Sequence, residues 1–222
     1  MSDHRNTPPA TNRRLAIAGL LLAWSIWGCT ASDPSAEETR DPSEVEVIGL
    51  DANAPAIEAD SVSFYAVVGK DREVEIYFDS AGVKTDRLLR FEVRHDALYR
   101  KPDGSRFRHG DSVLIVIRVS DPASLQFDFE PSGLVFDPKH PAELTVGYGR
   151  ALDAVLAPAG LMRDPGHGNH GGHGGGHSET DLSIWRQEQP NSLFYRLDSS
   201  VDTDDKEIEA DVPGFSKYAV AY

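Results

Sequence analysis

Residues 127–148, FDFEPSGLVFDPKHPAELTVGY, confine this chain to β structure. Phe127 and Phe129 alternate with Asp128 and Glu130, the period-2 pattern of a strand with one buried face. Pro131, Ser132 and Gly133 then supply turn chemistry: proline presets φ, and glycine accepts a positive φ. Leu134, Val135 and Phe136 restart an apolar strand. Pro138 and Pro141 stop it, because proline has no N–H to give a ladder, and residues 142–148 form a third strand. Strand, turn, strand, proline-bounded loop and strand leave no room here for a helix.

The same punctuation recurs from Val45 onward. Residues 61–68 (SVSFYAVV) and 73–78 (EVEIYF) flank Gly69-Lys70-Asp71-Arg72, which predicts a hairpin. Further strands are expected at 88–93, 97–99, 113–119, 182–186, 193–197, 207–212 and 218–222. Turns are expected at Pro102-Asp103-Gly104, at His109-Gly110-Asp111 and across the acidic run 198–205. Residues 113–119 (VLIVIRV) are apolar enough to be buried on both faces. Only 152–162 could make a short helix. Many short strands with regular turn signals predict an all-β fold, an antiparallel β-sandwich of Greek-key type. The expected core is Phe64, Ile76, Phe78, Phe91, Val113, Ile115, Ile117, Phe127, Phe129, Leu134, Phe136, Leu144, Val146, Trp185, Phe194, Phe215 and Ala219.

Two of these stretches carry a family resemblance. EPSGLVFDP followed by AELTVGY resembles the later strands of the ZU-type β-sandwich domain of zonula occludens proteins, netrin receptors and ankyrins. GFSKYAVAY, residues 214–222, resembles that domain's closing strand. The likeness covers residues 127–222, and the family's Gly-rich opening half has no counterpart. What the resemblance implies is an interaction module rather than an enzyme.

The N-terminal segment predicts export. Arg5, Arg13 and Arg14 precede an apolar run over 15–26, long enough for a signal peptide and too short for a bilayer span of about 20 residues. Ile26-Trp27-Gly28-Cys29 resembles a bacterial lipobox, with the chain's single cysteine at the modified position. Cys29 is therefore the expected lipidation site, consumed by a thioether to diacylglycerol and further acylated, for example with palmitate. Residues 1–28 would be a lipoprotein signal peptide, 29–44 a disordered acidic tether and 45–222 the β domain. A tether of this polar composition cannot offset its ordering entropy and reaches on the order of 20 Å. Thr30 after the cysteine, not Asp, favours the outer membrane in a diderm cell envelope.

Charge narrows the partners. Residues 1–28 hold three of the 22 basic residues and one of the 36 acidic ones. The remainder carries 19 and 35, a formal charge of −16. Nucleic acid is excluded as an electrostatic partner. The expected partners are the membrane, through the anchor, and an envelope protein or ligand.

Four histidines, His167, His170, His173 and His177, lie in the Gly-rich run 163–178 (RDPGHGNHGGHGGGHS). Imidazoles at this density suit labile zinc, copper or nickel, which gives the alternative function: an envelope metal-binding or buffering protein. A surface insertion of biased composition accounts for the same residues. Gly110-Asp111-Ser112 resembles the nucleophile block of GDS-type esterases, but it feeds a strand instead of a helix and reads as an ordinary turn. Asp-x-x-His, ending at His140 and His167, likewise has no catalytic context. Asp198, Asp202, Asp204, Asp205 and Glu207 lack the spacing of a calcium loop and read as a solvated hairpin tip. No nucleophile elbow, P-loop, dinucleotide fingerprint or HExxH occurs. The expectation is a lipid-anchored binding or structural module, not an enzyme, with Tyr65 and Tyr77 as candidate exposed aromatics on edge strands.

Overall fold

The computed structural model describes residues 38–151 and 177–222. Cys29, the signal segment, the short helix expected at 152–162 and His167, His170 and His173 lie outside the described residues.

In chain order the strands are β1 (Thr39–Arg40), β2 (Ala56–Ile57), β3 (Ser61–Val67), β4 (Arg72–Ser80) and β5 (Val83–Val93). Then come β6 (Leu98–Arg100), β7 (Ser112–Asp121), β8 (Gln126–Glu130), β9 (Val135–Phe136) and β10 (Ala142–Gly147). After a 3₁₀ turn at Glu179–Asp181 follow β11 (Ser183–Gln187), β12 (Phe194–Arg196), β13 (Ser199–Asp202), β14 (Glu207–Val212) and β15 (Lys217–Ala221). A seven-stranded sheet runs β1-β12-β11-β15-β8-β7-β3, and a six-stranded sheet runs β13-β14-β10-β5-β4-β2. Every pairing is antiparallel. The fold is the antiparallel β-sandwich expected from the sequence.

Alternation along each strand builds the core. Phe64 and Ala66 of β3, Ile115 and Ile117 of β7, and Phe127 and Phe129 of β8 point inward from one sheet. Ile76 and Phe78 of β4, Phe91 of β5, Leu144 and Val146 of β10, and Ile208 of β14 meet them from the other. An aromatic cluster locks the two layers together. Phe91 lies edge-on to Phe129 with centroids 5.1 Å apart, and Phe215 packs 5.2 Å from Phe136 and 5.5 Å from Phe129. Such pairs add about 0.5–1.5 kcal/mol each beyond the area they bury.

The motif residues behind the family resemblance are built into this centre. Gly133 closes its turn at φ +82°. The Tyr218 hydroxyl donates to the Gly214 carbonyl, and the Phe215 N–H donates to the Leu134 carbonyl at 2.9 Å. A Cβ at Gly214 would lie 2.5 Å from the Leu134 oxygen, so the two segments can approach only because that residue is glycine.

Several expectations are corrected. The Gly69 turn does not join a hairpin: β3 and β4 belong to different sheets. The Lys70 N–H closes the turn on the Val67 carbonyl, while Val68 N–H donates to Asp111 and Gly69 N–H to His95. Alternation specifies which side of a strand is buried but not which sheet holds it. The β7 strand is buried on one face only. Leu114 is exposed, and Val113, expected in the core, is half-buried. The strand expected at Leu134–Phe136 is present as Val135–Phe136, and it pairs with β6 in a separate two-stranded sheet. Within the acidic run, 199–202 is strand β13 on β14, which shortens the turn to its tip.

The segment assigned to the tether is ordered from its distal end. Thr39–Arg40 pairs with β12, and further on Val47, Gly49 and Leu50 bridge Ala221, Ser124 and Ala151, which puts Ile48 and Leu50 into the main core. Val45 joins Trp185, Phe194, Ala219 and Ala221 in a second small apolar cluster on the outer face of the seven-stranded sheet. Trp185 is fully buried as a result.

Candidate interaction surface

The two outer faces of the sandwich differ in chemistry. That of the six-stranded sheet is a lattice of ion pairs formed by its outward residues. Arg87 binds Glu207 at 2.7 Å and Glu75 at 3.0 Å; Arg90 binds Glu143 at 2.6 Å; Arg94 binds Glu143 at 3.1 Å. Burial, then the nearby Glu209 carboxylate, holds Glu143 above the usual carboxylate range despite its two guanidinium partners. The charges are matched within the sheet, which suits a solvated face.

At the β3 end of the other sheet the outer face carries an apolar pair and one cation: exposed Arg118 stands opposite Ser61 and lies 3.8 Å from Glu130. Tyr65 is 60% exposed and Leu114 44% exposed, and the register places them directly opposite one another on β3 and β7. Ser63 and Val116 form the next such pair. Tyr77, the other aromatic expected on an edge, is engaged. Its hydroxyl donates to Glu75 at 2.6 Å, and the Lys84 ammonium lies 4.8 Å over its ring. That bond to Glu75 raises the Tyr77 pKa above its ordinary value.

The β3 strand ends its sheet, and its backbone pattern shows what the edge offers. Val119 N–H donates to the Asp60 carbonyl and Val68 N–H to the Asp111 carbonyl. These two bonds set the parity of the β3–β7 ladder. Val62, Phe64 and Ala66 therefore bond to β7, while the N–H and C=O groups of Ser61, Ser63 and Tyr65 point the opposite way, along an edge that no described strand covers. Proteins protect such edges with charge, proline, bulges or brevity. The other terminal strands follow that rule: β1 and β2 have two residues each, and β13 has four and runs into an acidic turn. The uncovered part of β4 carries Arg72, Glu73 and Glu75. In contrast, β3 has seven residues, SVSFYAV, with no charge, proline or glycine.

The remaining sequence candidates are accounted for one by one. His177 is exposed, stacks on Tyr222 with ring centroids 4.3 Å apart and places Nε2 3.5 Å from the Glu46 carboxylate. Among the described residues no three His, Cys, Asp or Glu side chains are grouped to hold a metal ion. Asp111 of the Gly-Asp-Ser turn accepts from Lys101 at 2.7 Å and from the Arg108 N–H, and these bonds lower its pKa. Ser112, the first residue of β7, is part of the ladder with Val67. His140, in the β9–β10 connection, lies 3.0 Å from the carboxylate of Asp96 in the β5–β6 connection. Asp202 accepts the N–H groups of Asp204 and Asp205, which fixes the hairpin tip and lowers the Asp202 pKa.

Sequence reasoning named Tyr65 but missed Ser61, Ser63 and Leu114. The signal was present: SVSFYAVV is an uncharged run in a chain that is 26% charged. Its position at an edge was not in the sequence. No family model, curated protein or solved structure matches the chain.

Proposed function

We propose that this protein is a lipid-anchored interaction module of a bacterial cell envelope, held at the membrane through Cys29 and binding another polypeptide at the β3 end of its seven-stranded sheet. The observation that carries this reading is the unprotected β3 edge beside the exposed Tyr65–Leu114 pair. A long, neutral edge next to an apolar patch is a hazard to a free protein and an asset to one with a partner.

The sheet order supports the arrangement. Thr39–Arg40 lies at one end of the seven-stranded sheet and β3 at the other, six strand spacings away. At about 4.8 Å per spacing that separation is about 29 Å. Cys29 and Glu38 are nine Cα steps apart, a reach of at most about 32 Å. Anchored through Cys29, the chain would be tethered at the β1 end of this sheet, the end opposite β3. The likeness to ZU-type domains, which rests on residues 127–222, agrees with a binding role.

The test is photo-crosslinking in cells. A benzophenone amino acid at position 65 in the full chain should trap a second polypeptide in the membrane fraction, and one at position 77 should not. Equal labelling from both positions, or none from 65, refutes the surface assignment. Cys29→Ala should move the protein out of the membrane fraction or block its processing. Retention with normal processing refutes the anchor.

A further inference from the structure

Resting on that reading, we infer that the β3 edge accepts an extended polypeptide as an added antiparallel strand, and that the acidic cleft at the start of β3 selects a segment with Lys or Arg towards its C-terminal end.

The edge supplies the docking groups. Ser61, Ser63 and Tyr65 present their N–H and C=O groups in one line, while the Val67 carbonyl is already used by the Lys70 N–H at 3.0 Å. A strand added there gains main-chain bonds at every second residue. Its outward side chains would extend the Tyr65–Leu114 patch, so an apolar or β-branched residue fits beside Tyr65. Its inward side chains would lie against Val62, which is half-buried in the present edge. Each pairing in the sheet is antiparallel, and an eighth strand of the same sense would run from the Val67 end to the Ser61 end.

Beyond Ser61 such a strand emerges over a cleft of about 580 Å³ lined by Leu50, Asp51, Pro55, Glu58, Asp60 and Pro122 among others. Three carboxylates line it and no basic residue does. Glu58 is paired with Lys84 at 2.9 Å, and Asp51 accepts from the Asn53 N–H at 2.6 Å. The Asp60 carboxylate, one residue before β3, has no partner among the described residues. A cation arriving at the end of an added strand meets that carboxylate in a recess with Leu50 and Pro55 on its walls.

Charge also decides between occupants. A second copy added in the same sense would carry its own Lys70-Asp71-Arg72 turn over the same three carboxylates, but on a chain of net charge −14 that repels itself. The contact would also be narrow, one strand wide, against the roughly 1,200–2,000 Å² of a stable interface between two folded proteins. An extended basic segment opposes neither limit, and the acidic field favours its approach.

The experiment pans a display library of random peptides of about twelve residues on the full chain in detergent micelles. Ser63→Pro and the double variant Asp51→Asn/Asp60→Asn serve as comparisons. Ser63 turns its N–H away from β7, so proline removes no ladder bond and the fold should persist, as circular dichroism checks. Wild type should enrich peptides with alternating β-branched or aromatic residues and a Lys or Arg in the last third. Ser63→Pro should weaken the recovered peptides by about tenfold or more. Replacing the basic residue by Ala should weaken binding about fivefold on wild type and less than twofold on the double variant. Peptides that bind wild type and Ser63→Pro equally would overturn the surface reading itself. Binding that needs Ser63 but shows no basic preference would overturn the cleft assignment alone. Absence of any enrichment would overturn both. A concentration-dependent dimer lost in Ser63→Pro would put a second copy on the edge instead.

Discussion

Arg40→Ala tests whether the segment before Val45 is part of the fold. The Arg40 guanidinium lies 4.6 Å over the Trp185 ring, and Nη1 donates to the main-chain oxygen of Tyr222 at 2.5 Å. Glu38 bridges Arg40 at 2.7 Å and Arg196 at 2.9 Å, which pins β1 to β12. The cation–π contact is worth about 0.5–2 kcal/mol, and the charged hydrogen bond about 1.5 kcal/mol in this partly open position. The Glu38 pair adds little, because exposed ion pairs contribute about 0–1 kcal/mol. One term opposes these. Trp185 Nε1 is buried with no partner among the described residues, and water admitted by the truncation would return about 1 kcal/mol of its lost hydration. The net loss is about 1–2 kcal/mol, a downward shift of the urea midpoint by about 0.5–1 M for a typical slope. Trp24 and Trp27 are the only other tryptophans. With both replaced by Phe, the emission of Trp185 should shift to the red in the native state of Arg40→Ala. Arg40→Lys, which keeps the charge but not the planar fork, should fall between. A stability change below about 0.5 kcal/mol with unchanged emission would refute the packing of this segment over Trp185.

Other expected outcomes follow from the core. Phe136→Ala should cost about 3–5 kcal/mol in denaturant unfolding, since it is 1% exposed and rings from Phe91 and Phe215 surround it; a loss below about 1 kcal/mol would remove it from the core. Burial pushes the Tyr218 hydroxyl from 10.0 up to about 12. Because the folded value lies above the unfolded one, its stabilisation is complete below pH 10.0 and is lost as pH rises towards 12. That loss amounts to about 2–3 kcal/mol, and Tyr218→Phe should flatten the alkaline limb of the unfolding curve; an unchanged limb would assign it to other groups.

Read alone, the sequence declares the class of fold, and every core residue it names except Val113 is buried, although Ile48, Leu88, Leu89, Leu125, Tyr148 and Ile208 go unnamed. Period-2 alternation is imposed by the backbone, so Phe127 and Phe129, or Ile115 and Ile117, declare their buried side locally. Turn residues are equally local: Gly133 and Gly110 adopt the positive φ that their neighbours require. Pairing is not local. Whether β3 turns back onto β4 or crosses to the other sheet depends on which free N–H and C=O groups are nearby once both layers have closed, and β7 supplied them. The same limit hid β1, whose polar composition is that of a tether, and whose order comes from β12, Trp185 and the Tyr222 main chain. It also hid β13, whose Ser199, Ser200 and Asp202 read as part of a polar turn until β14 lay beside it. The candidate surface combines both kinds of information. An uncharged SVSFYAV can be seen in the chain, but an uncharged strand in the middle of a sheet would mean nothing. Only the tertiary structure put it at an edge, opposite Leu114 and at the mouth of an acidic cleft, because an edge is defined by the strand that does not pair.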